Sequence, residues 1–198
     1  VMHIMFVCTG NICRSPMGEL LMARYLSGTT MRISSAGTKG LPQHQIDPSS
    51  ARLMRSVGIE PGGFRSRRLT RAMADEADLI LCFEKRHRKE IVALNPAAVR
   101  YTFLLDDFAN MCEYCARNGM VAGRTIQERL ESVIKKSSMI RPMVPEPVDI
   151  ADPHGQDYGK FCIAAEQTNA AIRRILKSMR KRRPVISTSA AAGSQIIP

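Results

Sequence analysis

An α/β fold built on a parallel four-stranded sheet follows from three features of the sequence. Short apolar runs alternate with segments of helical periodicity. One run, Leu79-Ile80-Leu81-Cys82-Phe83, is unbroken, as befits a strand covered on both faces. The first run passes through a tight polar turn directly into a helix. With right-handed crossovers these features give a single three-layer domain flanked by helices, read here with strand order 2-1-3-4 and its crevice at the carboxyl ends of the strands.

Taken in order, Ile4-Met5-Phe6-Val7 is the first strand and Cys8-Thr9-Gly10-Asn11 the turn that leaves it. Ser15-Pro16 opens a helix with Leu20, Leu21 and Tyr25 on its apolar stripe, and Pro16 suits the first helical position, where its missing N–H is not needed. Met31 to Ser35 reads as the second strand and Ala51 to Val57 as a helix stopped by Gly58. After the third strand come a helix from Lys85 to Leu94, a fourth strand from Tyr101 to Leu105 and a long last helix from Tyr158 to Met179. Between Asp106 and Asp149 the alternation stops. Phe108, Met111, Cys112 and Cys115 keep helical spacing up to Asn118-Gly119, and Thr125 with Glu128 makes a capping box for a second helix through Ile134. This helical insertion, about residues 107–147, ends with Pro142, Pro145 and Pro147 in an extended return. The domain is read as residues 1–183, and the small, polar stretch 184–198 as a flexible tail.

A chain of 198 residues is sized for one domain and an excursion, and 44% hydrophobic with 24% charged residues excludes wholesale disorder. No run approaches the roughly 18 apolar residues of a membrane span. Val1 to Val7 has neither a basic head nor a small-residue cleavage site, so it does not read as a signal peptide. The expected compartment is the cytoplasm, where the 6 cysteines would be thiols. Lys+Arg 29 against Asp+Glu 18 gives a net charge of +11, which favours anionic partners. Part of it lies between Arg173 and Arg183. That run reads either as a weak contact with nucleic acid or an anionic surface, or as a helix end complementing its own dipole.

The most informative stretch is Cys8-Thr9-Gly10-Asn11-Ile12-Cys13-Arg14-Ser15. Five residues between a cysteine and an arginine, set between strand and helix, let the backbone curl so that its N–H groups share one bowl. Such a bowl at a helix N-terminus binds a tetrahedral oxyanion, and the same field favours thiolate over thiol at Cys8. Arg14 offers a planar fork for two oxygens of a phosphoryl group. Gly10 and Asn11 both tolerate the positive φ that so tight a loop requires.

With these residues the sequence resembles the low-molecular-weight protein tyrosine phosphatase family. The resemblance rests on Phe6 to Met17, on Ser35-Ala36-Gly37-Thr38 and on Asp152-Pro153. Softer matches are Asp47 with Arg52, Ser66-Arg67 before Leu69, Glu84-Lys85 with His87, and Leu104-Leu105. The resemblance implies a cysteine-dependent phosphatase. Cys8 would form a phosphocysteine, Arg14 and the loop from Thr9 to Ser15 would bind the phosphate, and Asp152 would act as general acid and then base. It implies further that Ser15 donates to the Cys8 sulfur, that Asn11 and Ser35 brace the loop, and that Cys13 is a redox candidate facing Cys8. Phosphorylated proteins would be the substrates and inorganic phosphate or other oxyanions the loop ligands, with no metal or other cofactor needed. Asp149 is the rival acid.

Three positions bear on specificity. Typical members carry aromatic substrate walls where this chain has Leu41 and His154, which weakens tyrosine preference. Ile12 stands where relatives acting on phosphoarginine carry a smaller polar residue, which restores it. The insertion feeds directly into Asp152, so it lies either beside the cleft as a selector of protein substrates or elsewhere as decoration. Competing functions are phosphoarginine hydrolysis, arsenate reduction, which needs relay cysteines such as Cys82, Cys112 or Cys115, and a noncatalytic phosphoprotein- or nucleic-acid-binding module. Cys112 and Cys115 form a single C-x2-C without a second pair, a spacing that suits a helix core better than zinc.

Overall fold

In a computed structural model that describes residues 1–181, the strands are β1 (His3–Cys8), β2 (Arg32–Gly37), β3 (Leu79–Cys82) and β4 (Thr102–Leu104). They form one sheet in the order β2-β1-β3-β4 with every pairing parallel, so the predicted fold class and strand order both hold. The tail expected at 184–198 and the last residues of the basic run lie outside the described residues.

Among the described residues, seven α-helices accompany the sheet: α1 (Arg14–Tyr25), α2 (Pro48–Ser56), α3 (Arg71–Glu76), α4 (Lys85–Leu94), α5 (Leu105–Arg117), α6 (Ile126–Ile140) and α7 (Tyr158–Ser178). Alternate strand residues feed two cores. Ile4, Phe6, Cys8, Leu79, Leu81 and Phe103 face α1, α5 and α7, whereas Met5, Val7, Ile80, Cys82 and Leu104 face α3 and α4. Burial on both faces is why β3 reads as an apolar run without alternation. No helix among the described residues is long and apolar enough to cross a membrane.

Several boundaries differ from expectation for physical reasons. Helix α1 starts at Arg14, which puts Pro16 third rather than first, still within the turn whose N–H groups have no helical acceptor. Helix α2 starts earlier than expected because Asp47 caps it, its carboxylate accepting from Ser49 N at 2.8 Å. Thr125 caps α6 as predicted, but the Glu128 carboxylate reaches back to Arg124 N rather than to the cap itself.

Helix α5 belongs to the body of the fold. Leu105, Phe108, Ala109, Met111, Cys112 and Cys115 are buried in the main core, and α5 packs on α7 and β4. Helix α6 lies on α5. Asp107 on α5, almost fully buried, receives a two-pronged grip from Arg141 at 2.6 and 2.5 Å. Arg174 of α7 turns inward to Asp106, Asn110 and Glu113, so the basic run of the last helix is not a continuous outward patch.

Candidate functional site

The loop from Cys8 to Arg14 leaves the carboxyl end of β1 and becomes α1 without a break. Its carbonyls are turned outward. Cys8 O accepts from Thr38 N, Thr9 O from Lys39 N and Ile12 O from Asp47 N, each at 2.9 Å. Because C=O and the following N–H point oppositely across a trans peptide, the N–H groups of Thr9, Gly10 and Cys13 face the other way, into a hollow of about 190 Å³. That volume suits a small oxyanion with part of its substituent. Of the two residues expected to take positive φ, Asn11 does (φ 57) and Gly10 does not.

Asn11 is fully buried and ties the loop to two other segments. Its Nδ2 donates to Ser15 Oγ at 2.8 Å and Ser35 Oγ at 2.9 Å, and its Oδ1 accepts from Arg67 N at 2.8 Å. Ser15 Oγ lies 2.9 Å from Cys8 Sγ. Since Asn11 donates to Ser15, the serine hydroxyl is free to give its own hydrogen to the sulfur. Gly37 at the end of β2 must lack a side chain, because a Cβ there would run into the Thr9 carbonyl.

Arg14 is 1% exposed, which makes its partners decisive. Nη1 donates to Glu84 Oε2 and to Ile150 O, both at 2.6 Å. Nη2 is 3.7 Å from Asp152 Oδ2, and Nε is buried with no partner. One edge of the guanidinium is therefore held by protein while the Nε–Nη2 side remains for a ligand. Burial opposes ionisation of Glu84, but hydrogen bonds from Arg86 and Arg14 outweigh it and hold its carboxyl below the usual range. His87 caps the arrangement. Burial, reinforced by Arg14, pushes its pKa down to about 4, so the ring is neutral; Nδ1 accepts from Glu84 N and Nε2–H is left for Thr9 Oγ1 at 2.9 Å.

The hollow is lined by Cys8, Thr9, Gly10, Ile12, Cys13, Arg14, Asp152, Leu41 and His154, all named from the sequence, and by Lys39 and His44, which were not. Ser15 and Ser35 do not line it: Ser15 Oγ contacts the Cys8 sulfur, and Ser35 Oγ accepts from Asn11. The fold thus brings Asp152 to Cys8 across most of the chain. The rival Asp149 is occupied elsewhere, accepting from Lys85 N at the start of α4. Cys13 Sγ faces His154 Nδ1 at 3.7 Å; burial raises its thiol pKa, and Asp47, Cys8 and Asp152 add to the rise. Nothing from residues 105–147 lines the hollow. The insertion acts on the site at one remove: Asp106 accepts from Val148 N at 2.8 Å and so braces the segment that carries Ile150 and Asp152.

Sequence reasoning missed the roles of Glu84, Arg86, Arg67 and Ile150. Glu84, His87 and Arg67 had surfaced only as members of recurring short matches, and a backbone carbonyl such as that of Ile150 leaves no mark in a sequence at all.

Comparison with known proteins agrees with this geometry. Residues 3–118 match the model of the family described as low molecular weight phosphotyrosine protein phosphatase. Over 110 residues, 56% of this chain and 73% of the relative, the sequence is 38% identical to the low molecular weight protein-tyrosine-phosphatase Etp of Escherichia coli K12. Among solved structures, the tyrosine phosphatase Wzb from Escherichia coli K30 in complex with sulphate matches with TM-score 0.66 and 26% identity, over 90% of this chain and 98% of that one. The YwlE arginine phosphatase from Geobacillus stearothermophilus matches with TM-score 0.67 and 26% identity, over 90% and 93%.

Proposed function

Because the chain belongs to the low molecular weight phosphotyrosine protein phosphatase family, we propose that it hydrolyses aryl phosphate monoesters, phosphotyrosine in proteins above all, through a phosphocysteine. The observation that carries this reading is the meeting, around one small hollow, of the Cys8 sulfur, the uncommitted edge of Arg14 and the Asp152 carboxylate.

Arg14 and the inward amides hold the three non-bridging oxygens while the Cys8 thiolate attacks phosphorus in line. Asp152 gives its proton to the departing phenolic oxygen. Water then attacks the phosphocysteine, Asp152 takes a proton from it, and the thiolate leaves as inorganic phosphate forms. The Ser15 hydroxyl stabilises the sulfur anion at both ends of this cycle. Ile12, Leu41 and His154 form the sides against which an aryl group rests.

Arsenate reduction is disfavoured by the burial of the three thiols considered as relays. Cys82, Cys112 and Cys115 are buried in the cores, where a relay disulfide has no path outward, and burial raises the thiol pKa of each.

The test is hydrolysis of an aryl phosphate and of phosphotyrosine and phosphoarginine peptides by wild type, Cys8→Ser and Asp152→Ala. Loss of at least about a thousandfold with Cys8→Ser, together with a phosphotyrosine preference, supports the reading. Turnover that survives Cys8→Ser would sink it, and a phosphoarginine preference would replace the substrate.

A further inference from the structure

Cys13 Sγ, a carboxylate oxygen of Asp47 and His154 Nδ1 lie within 4.8 Å of one another, a grouping of metal-ligand atoms none of which takes part in the bond-making and proton-transfer steps above. The sulfur is 3.7 Å from Nδ1, and Nδ1 is 3.9 Å from Asp47 Oδ2. A tetrahedral ion bound at about 2.3 Å to sulfur and about 2.0–2.1 Å to nitrogen and oxygen sets these edges at about 3.4–3.6 Å. The edges at His154 need to close by only a few tenths of an ångström, and the Cys13–Asp47 edge, which lies within 4.8 Å, by up to about 1.2 Å.

The three ligands come from three anchored places. Cys13 is the N-cap of α1, Asp47 the N-cap of α2, and His154 follows Asp152, whose Oδ1 accepts from His154 N at 3.0 Å. Asp47 uses Oδ1 to cap its helix, and it is Oδ2 that faces the imidazole. The His154 side chain is 61% exposed, so an ion can enter from solvent.

We propose that Cys13, Asp47 and His154 form a site for a divalent cation of the zinc type at the rim of the phosphate hollow. Thiolate, imidazole and carboxylate together suit Zn²⁺ or Co²⁺, whereas Mg²⁺ and Ca²⁺ want oxygen ligands only. On binding, the Cys13 thiol gives its proton to water and its sulfur takes the ion; water completes the fourth position. Cys13 and His154 both line the hollow. An ion between them ties the Asp152 turn to α1 and α2 and narrows the opening. Reversible inhibition by Zn²⁺, relieved by a chelator, is the consequence, and that consequence alone rests on the phosphatase reading.

Titration with Co²⁺ followed by absorption, with calorimetry for Zn²⁺, tests the site without any turnover. Wild type and Cys8→Ser should each bind one ion with a sulfur-to-cobalt charge-transfer band. Cys13→Ser should lose the band. His154→Ala and Asp47→Asn should bind at least tenfold more weakly, the second keeping its helix cap because Asn caps as well as Asp. No binding by wild type, a band lost in Cys8→Ser but kept in Cys13→Ser, or undiminished affinity in His154→Ala, whose exposed ring can be removed without unfolding, overturns the site. A protein that hydrolyses no phosphate ester yet shows the expected binding pattern leaves the site standing and defeats the phosphatase reading instead.

Discussion

The buried amide of Asn11 holds three segments in register: its own loop, β2 through Ser35, and the stretch at Arg67. Asn11→Ala removes all three bonds and places alanine at φ 57. We expect a loss of about 2–4 kcal/mol in urea unfolding, with kcat for an aryl phosphate down by at least tenfold. Asp152 makes a different prediction, because in the proposed mechanism it acts on the leaving group. Asp152→Ala should lower kcat/KM, which reports the step that forms the phosphocysteine, by about 10²–10⁴ for a phosphotyrosine peptide and by clearly less for nitrophenyl phosphate, whose leaving group scarcely needs a proton. Equal losses on the two substrates would remove the acid role. At this scale the sequence was most readable where covalent spacing does the work: Cys8 and Arg14 are fixed by five intervening residues. It was least readable at Glu84 and Ile150, which reach Arg14 across 70 and 136 residues.

Elements were legible in proportion to their length and their periodicity. Helix α4 runs over the predicted residues, and α7 differs by one at its end, since both carry long stripes and clear stops. Helix α3, six residues long, went unseen because so short a segment holds barely one repeat of any stripe. The predicted fourth strand lost Leu105 to α5 because that residue is buried in either element, and apolarity alone does not distinguish them. Two predictions belong here. Gly37→Ala at the end of β2 drives a methyl group into the Thr9 carbonyl and against the backbone of Gly10 and Asn11, so the loop must shift; kcat/KM should fall at least tenfold and the unfolding midpoint should fall with it. Arg141→Ala strips the buried Asp107 of its grip and should cost about 2 kcal/mol in chemical unfolding, below the range for a wholly buried pair because Arg141 is half exposed. Hydrolysis per folded molecule should be unchanged, because nothing in that pair touches the hollow.

For the molecule as a whole, His87 links the site to global stability. Its folded pKa, about 4, lies below the free value of 6.5. Between those two values the unfolded chain binds a proton that the folded chain refuses. Stability is therefore full above about pH 6.5, declines on acidification and levels off below about pH 4, a loss of up to about 3 kcal/mol. Urea midpoints measured across that range should fall toward acid, and His87→Gln should flatten the slope within the window; an unaltered slope would show that other groups set it. The architecture explains why this ring is neutral. It feels the positive charge of the Arg14 guanidinium, which in turn is seated by Glu84 from the middle third of the chain and Ile150 from the last. That seating has a consequence during synthesis. On the proposed phosphatase reading, a nascent polypeptide that has not yet emerged past position 150 lacks the carbonyl that aims the arginine, so a ribosome-bound intermediate should be chemically silent until the last third of the chain is made.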